Sequence, residues 1–283
     1  MSEQLTVTVV VPTRRRPDYL GVTLASVAPQ IRDTGAELLV VADGPDPATA
    51  DVARRHGAAL LALPRPMGAN AARNAGVAAS SSELVVFVDD DVDAPAGWLE
   101  AMLKGARAAP DRDVFGGPIR GRLEGGGPRA CGREPPPITT LDLGRHDRDV
   151  QFVWSANMAV RRTAFQRIGV FDETIFIRGD EEDWQRRYAA QGGRVRYLAR
   201  AGVDHRRTAE DSTIPKLARA AYAHGRAARR YDIRKGTAPP VARELRVLVG
   251  CGWHTIRRRC AFGIVMGAQA AGRLREALTD RRR

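Results

Sequence analysis

Cysteine is scarce in this chain: only Cys131, Cys251 and Cys260 occur, with no CxxC pair and no Cys/His ligand spacing. That excludes a disulfide scaffold or a structural zinc site as the organising device and fits a reducing compartment. Long apolar runs are missing as well. The longest in the C-terminal part, "AFGIVMGAQAAG", has 12 residues, short of the roughly 20 that a spanning helix needs. The opening "MSEQLTVTVVVPT" runs into a strand with no basic segment ahead of a long apolar one. No signal peptide is therefore expected, and the expected location is cytoplasmic. Acid is also the minority charge, with 33 Asp and Glu against 45 Lys and Arg. The imbalance is local: from Ile214 onward there are 17 Lys and Arg and four Asp and Glu, so the first 213 residues are close to neutral. A neutral body and a basic tail suggest two jobs.

What is present is enough apolar residue, 43% of 283, for one large α/β domain with an appendage. Strand patterns at 5–13, 36–44, 58–64, 82–91 and 113–119 alternate with helical patterns at 16–30, 45–57, 68–80 and 94–110. That order predicts a mainly parallel sheet covered on both faces, with ligands bound beyond the carboxyl ends of the strands. Pro12–Thr13, Asp43–Gly44 and Asp89–Asp91 all follow strand ends and are expected to converge. Residues 120–149, rich in Gly, Pro and charge, read as a mobile loop that serves as a lid. "VQFVWSANMAVRR" (150–162) reads as a strand followed by a turn, 163–173 as a short helix ended by Gly169, and 179–193 as a helix with acids in its first turn. Two short strands are expected around Arg200–Gly202. From about Ser212 the pattern is helical, broken near "KGTAPP" (235–240).

Three crowded carboxylates, Asp89, Asp90 and Asp91, close the apolar run "VVFV". Like charges in contact destabilise one another, so a cation is expected there; hard divalent cations take carboxylate oxygens together with substrate phosphates. A solvated turn, with Asp93 capping the next helix, is the plainer alternative. Asp43 suits a base or ribose contact, or a simple turn. Asn70, Arg73 and Asn74 sit near a helix start, where Arg73 meets a phosphate or merely lines an Ala-rich packing helix. Asp180, Glu181, Glu182 and Asp183 include a candidate general base, or serve the helix dipole and pair with Arg186 and Arg187. His205 ends a strand and is a candidate metal ligand.

Taken in order, "VVVPTRRRPDYL", "VVADG", "GANAARNAG", "VFVDDD", "WSANMAVRRTAFQRIGVFDE" and "GDEEDWQRR" resemble the family 2 glycosyltransferases of the GT-A fold, over about residues 5–207. The resemblance implies an α/β, Rossmann-like GT-A domain over 1–211. Its nucleotide-sugar half would be 1–119, its flexible loop 120–149 and its acceptor half 150–211, with a basic helical region at 212–283. It implies inverting, non-processive transfer of a sugar from a nucleotide-diphosphate sugar to a hydroxyl, with Mg²⁺ or Mn²⁺. On it, Pro12, Thr13, Arg15 and Asp43 match nucleoside-holding positions, and Asn70 and Arg73 match those flanking base and phosphate. Asp89 and Asp91 match the outer acids of a DxD motif with Asp90 between them, the metal falling chiefly on Asp91. Trp154, Ser155, Ala156 and Asn157 match the segment facing sugar and acceptor, and His205 a late metal-binding histidine. The base falls on Glu181, counted back from Arg187, with Asp183 and Asp180 as alternatives. The Gln-x-x-Arg-Trp motif of the processive synthases is missing from the sequence.

A nucleotidyltransferase is a competing reading, but "PTRRRPD" has arginines without the expected glycines. A haloacid-dehalogenase-like phosphatase would carry its acids on the first strand, and a catalytically retired nucleotide binder is the non-enzymatic alternative. For the basic tail the readings are interfacial helices on an anionic membrane face, a homodimer or anionic-acceptor surface, nucleic acid (not expected), or a helical cap with a cationic outside.

Overall fold

The computed structural model describes residues 5–128 and 138–280. In chain order the elements are β1 (Val7–Thr13), α1 (Pro17–Thr34), β2 (Glu37–Ala42), α2 (Pro47–Arg55), β3 (Ala59–Ala62), α3 (Ala69–Ala79), β4 (Leu84–Val88), β5 (Val92–Asp93), α4 (Trp98–Ala108), β6 (Val114–Gly116) and β7 (Ile119–Leu123). There follow β8 (Arg148–Val150), β9 (Asn157–Arg161), α5 (Arg162–Ile168), α6 (Asp180–Ala190), β10 (Val195–Tyr197), β11 (Val203–Arg207), α7 (Ile214–Arg234), α8 (Val241–Arg258) and α9 (Phe262–Asp280). Two compact units emerge. One comprises Met1–Gly121, Thr139–Phe176 and Asp180–His205; the other comprises Arg122–Ile138, Ile177–Gly179 and Arg206–Arg283.

The first unit is built on an eight-stranded sheet in the order β3-β2-β1-β4-β9-β6-β10-β8. Pairings β1–β2, β2–β3, β1–β4 and β6–β10 are parallel; β9 and β8 run antiparallel to their neighbours. The central strands are apolar on both faces, as a doubly covered sheet requires. In β4, Leu84, Val86 and Val88 face the core under α1, α2 and α4, whereas Val85 and Phe87 face the core under α3, α5 and α6. On the second side Phe87, Phe165, Phe171, Trp184 and Tyr188 form a run of ring contacts at 5.1–6.2 Å, which fixes α6 against the sheet. Gly76 is where α3 comes closest to β1: a Cβ there would lie 2.5 Å from Val10 Cγ1. A small sheet in the order β5-β11-β7 sets His205 opposite Val92.

Several expectations need correcting. In 150–162 the order is reversed: the turn comes first and the strand is β9, held between β4 and β6 because its apolar residues pair on both sides. The expected loop 120–149 carries β7 and β8, and Leu141 bridges Ile119; its central stretch, 129–137, lies outside the described residues. "DVFGGPI" is split between two sheets at Gly117–Pro118. Asp93 does not cap α4, because the residue before that helix is Gly97 and Asp93 pairs in β5.

The second unit contains α7, α8 and α9, with an unanticipated break at Arg259, whose left-handed backbone ends α8. α7 and α9 cross closely enough that a Cβ on Gly225 would lie 2.0 Å from the Gln269 carbonyl oxygen, and one on Gly272 2.2 Å from that of Tyr222. Acids inside this unit each gather arginines: Glu244 takes Arg229 and Arg273, and Glu276 takes Arg226 and Arg230.

Candidate active site

β1, β2 and β4 are neighbours and parallel, so their carboxyl ends open on one side. There the Asp43 N–H donates to the Thr13 carbonyl at 2.8 Å, and Thr13 Oγ1 donates to Asp90 Oδ2 at 2.7 Å. The turn after β1 turns Arg16 back across the acids. Its guanidinium donates to Asp90 Oδ1 at 2.7 Å and to Asp91 Oδ2 at 2.8 Å, and lies 4.2 Å from the centre of the Tyr19 ring. Burial pushes the Asp90 carboxyl up to about 7, helped by Asp91 and opposed by Arg16.

Asp89, Asp91 and His205 form a separate cluster whose potential ligand atoms lie within 4.8 Å of one another. His205 Nδ1 lies 3.1 Å from the Thr139 carbonyl, so the proton belongs there and Nε2 faces the acids. It sits 2.8 Å from Asp91 Oδ1. That oxygen is buried and yet receives no hydrogen bond of ordinary geometry. Burial alone would raise the Asp91 carboxyl, but His205 and Arg16 outweigh it and hold the group well below the usual carboxylate range. Burial opposes charge on His205, and Asp91 overcomes it. A histidine with one nitrogen tied to a carbonyl and the other facing two carboxylates is a donor set that could hold a divalent cation, and a buried Asp91 oxygen without a well-aligned hydrogen bond fits such an ion.

Arg73 joins this cluster to α6. A buried residue of α3, it donates to Asp180 Oδ2 at 2.7 Å and to Asp89 Oδ1 at 3.4 Å. Burial disfavours the Asp180 charge, yet Glu181 and Arg73 together keep Asp180 below its ordinary range. Its neighbour moves the other way: burial and the Asp180 charge push Glu181 well above the usual range. Glu181 Oε1 lies 3.4 Å from both the backbone N and Oγ of Ser155. Five carboxyl groups (Asp89, Asp90, Asp91, Asp180 and Glu181) thus crowd against two guanidiniums and one imidazole; Asp91 and Asp180 are held ionised while Asp90 and Glu181 are driven towards their neutral forms, a load that a divalent cation could take over.

The other expected residues divide. Pro12 is buried at the end of β1, Arg15 is exposed in the turn with φ 51°, and Trp154 and Ala156 pack on the core beside Ser155. Asp43 accepts the N–H groups of Met67 at 2.5 Å and Gly68 at 3.1 Å, fixing the entry to α3. Asn70 is committed to the Asp172 carbonyl at 2.8 Å and to Arg73. Asn157 is fully buried, with its amide held by Trp98, Pro118 and Ala201. Asp183 pairs with Arg187 one turn along α6 at 3.2 Å and is not drawn into the acid cluster. Sequence reasoning missed Arg16, hidden among three adjacent arginines. It also missed Gln185, which ties α6 to the Val153 backbone; a polar residue on the buried stripe of α6 was its only signal. A separate open pocket of about 590 Å³, lined by Thr8, Glu37, His56 and Ser80, lies at the amino ends of β1–β3, away from these acids.

The model of the family "Glycosyl transferase family 2" matches residues 8–169. A pre-mycofactocin glycosyltransferase of Mycobacterium tuberculosis is 33% identical over 233 residues, covering 78% of this chain and 47% of that protein. Glycosyltransferase AglE of Haloferax volcanii is 24% identical over 192 residues, covering 66% and 62%. The chain thus spans about half the length of the first of these relatives. Among solved structures, a mannosyltransferase from Pyrobaculum calidifontis in complex with GDP-Man and Mn²⁺ superposes with TM-score 0.57 at 17% identity, covering 98% of this chain and 74% of that one. GalNAc-T7 with UDP, GalNAc and Mn²⁺ gives 0.58 at 15% identity, covering 78% and 48%. The match covers more than half of the chain and takes in the strand-end acids and Arg73: this protein belongs to glycosyltransferase family 2 and has its GT-A fold.

Proposed function

We propose that the chain transfers one sugar per encounter from a nucleotide-diphosphate sugar to an acceptor hydroxyl, with inversion at the anomeric carbon and with Mg²⁺ or Mn²⁺. The observation that carries this reading is the cluster of Asp89, Asp91 and His205 next to the Asp180–Glu181 pair. Asp91, Asp89 and His205 would hold the ion, which when bound supplies positive charge to the diphosphate leaving group. Arg16 keeps Asp90 and Asp91 in place, and the strand-end turn with Thr13, Arg15 and Asp43 offers a nucleoside edge. Two adjacent carboxylates whose surroundings drive their proton affinities apart identify the acid–base pair. Asp180 stays ionised against Arg73, and Glu181, in its ionised form the stronger base of the two, is suited to take the acceptor proton. Its contact with Ser155 ties it to the segment that carries Trp154. Asn70 and Asn157 enter this scheme as framework, and Asp183 has no part in it. The Mn²⁺ complexes of the two structural neighbours support the choice of ion and donor class. The membrane-face and homodimer expectations concern the basic second unit rather than this site.

A thermal-shift panel of UDP-, GDP- and dTDP-sugars with and without Mn²⁺ tests the reading, because a ligand that binds only the folded state raises Tm. One nucleotide class should raise Tm only when Mn²⁺ is present, and Asp91→Asn should lose that increment. A flat response to every donor with Mn²⁺ present would overturn it.

A further inference from the structure

We propose that the outer face of α8 docks the chain on an anionic lipid bilayer, the helix lying in the headgroup plane. α8 turns Glu244 and Cys251 inward. On the opposite side Leu245, Val249, Trp253 and Ile256 follow one another at spacings of four, four and three, which sets them on one stripe. They are 50, 64, 66 and 77% exposed, and the stripe runs about 17 Å along the helix at 1.5 Å per residue. Exposed apolar residues are ordinary singly; four on one helix face mark a contact surface.

Charge selects the occupant. Arg243, Arg246 and Arg257 occupy the adjoining sector of the same helix, and Arg258 and Arg259 are exposed at its end. Among the described residues none of these five guanidiniums has a carboxylate partner, whereas Arg226, Arg229, Arg230 and Arg273 of the same unit are all paired. Glu244, the single acid of α8, is buried. A second copy meeting this face by twofold symmetry would set five unpaired arginines against five more, a like-charge contact that opposes association. A bilayer with acidic headgroups accepts both features. The aliphatic residues enter the acyl boundary, the tryptophan sits at the interface and the arginines meet phosphates. No described helix is long and apolar enough to cross a membrane. The surface is independent of the transfer reaction and stands whether or not that reading holds.

Vesicle flotation of the full 283-residue chain tests this. The chain should float with phosphatidylcholine vesicles containing about one-third phosphatidylglycerol and stay down with phosphatidylcholine alone, the binding weakening as salt is raised. L245S/V249S/I256S should lower the partition about tenfold or more, and R243Q/R246Q/R257Q should lower it about tenfold and flatten its dependence on acidic lipid. Both variants alter exposed side chains and should keep the wild-type Tm, which separates lost docking from lost folding. The proposal is overturned if the wild type stays down with acidic vesicles. It is equally overturned if both variants float like the wild type, or if the apolar variant only converts a concentration-dependent dimer to monomer.

Discussion

Charge is concentrated in both units, but the two handle it in opposite ways. In the first, five carboxylates crowd beyond β4 and at the start of α6, and two arginines and a histidine partly offset them. In the second, cations are in excess: those facing inward are matched by Glu244, Glu276 and Asp232, and the surplus lies on the surface. A buried surplus of one sign is costly unless something compensates it, so it points to a ligand. An exposed surplus costs little in water and points to a surface. Arg73 and Glu244 are the hinge of the comparison, each a buried charge holding two partners of opposite sign.

The sharpest way to break the comparison is Asp91→Asn. If the acid surplus exists for a cation, this change should cut sugar transfer by about 10²-fold or more, the loss expected for an electrostatic group at a reacting centre, and should weaken Mn²⁺ binding measured by titration calorimetry. Next is Arg73→Met, which strands Asp180 and Asp89. Losing one member of a buried ion pair costs about 3–5 kcal/mol, and urea denaturation should show it. Glu244→Gln should cost a similar or slightly smaller amount by the same measurement, since Arg229 and Arg273 lose a common partner; equal stability for both variants and the wild type would erase the claim that these buried pairs hold each unit.

A subtler effect belongs to Glu181. Its folded-state proton affinity is raised by burial and by Asp180. The stability tied to its neutral form is therefore complete below the unfolded glutamate range and is lost as pH rises through the folded value. Glu181→Gln removes that loss, so the metal-free variant should gain Tm relative to wild type as pH is raised from acid to alkaline; a pH-independent difference contradicts the assignment. The smallest effect is expected outside: R243Q/R246Q/R257Q should leave stability within about 0.5 kcal/mol of wild type, in contrast to the buried pairs.

Much of the first unit is legible in the residues. β1, β2 and β4 carry largely apolar runs, broken only by Thr8 and Glu37 near their starts, because both faces of a parallel sheet are covered, and their ends carry Thr13, Asp43 and Asp89–Asp91 as punctuation. Short, half-polar pieces are less legible. β5, β7 and β8 have two to five residues each, and partners distant in the chain decide their pairing. Only the centre of β9, Met158–Val160, is apolar, too short a run to show a period, so its place in the 150–162 segment depended on the slot between β4 and β6. The same limit applies to the site. The motifs marked Asp91, Arg73, Glu181 and His205, but whether Asn70 and Asn157 face a ligand or brace the framework turns on carbonyls 39 to 105 residues away.

By itself, then, the amino-acid order determined the alternation of strands and helices, the acids at the strand ends and the division between a neutral body and a basic tail, because periodicity, turn residues and charge are local properties. Tertiary structure alone decided which of three neighbouring arginines bridges the acids, which nitrogen of His205 faces them, which of Asp180 and Glu181 is driven towards its neutral form and which side of α8 stays bare. Each of those outcomes depends on burial and on through-space neighbours, and neither is written in sequence spacing.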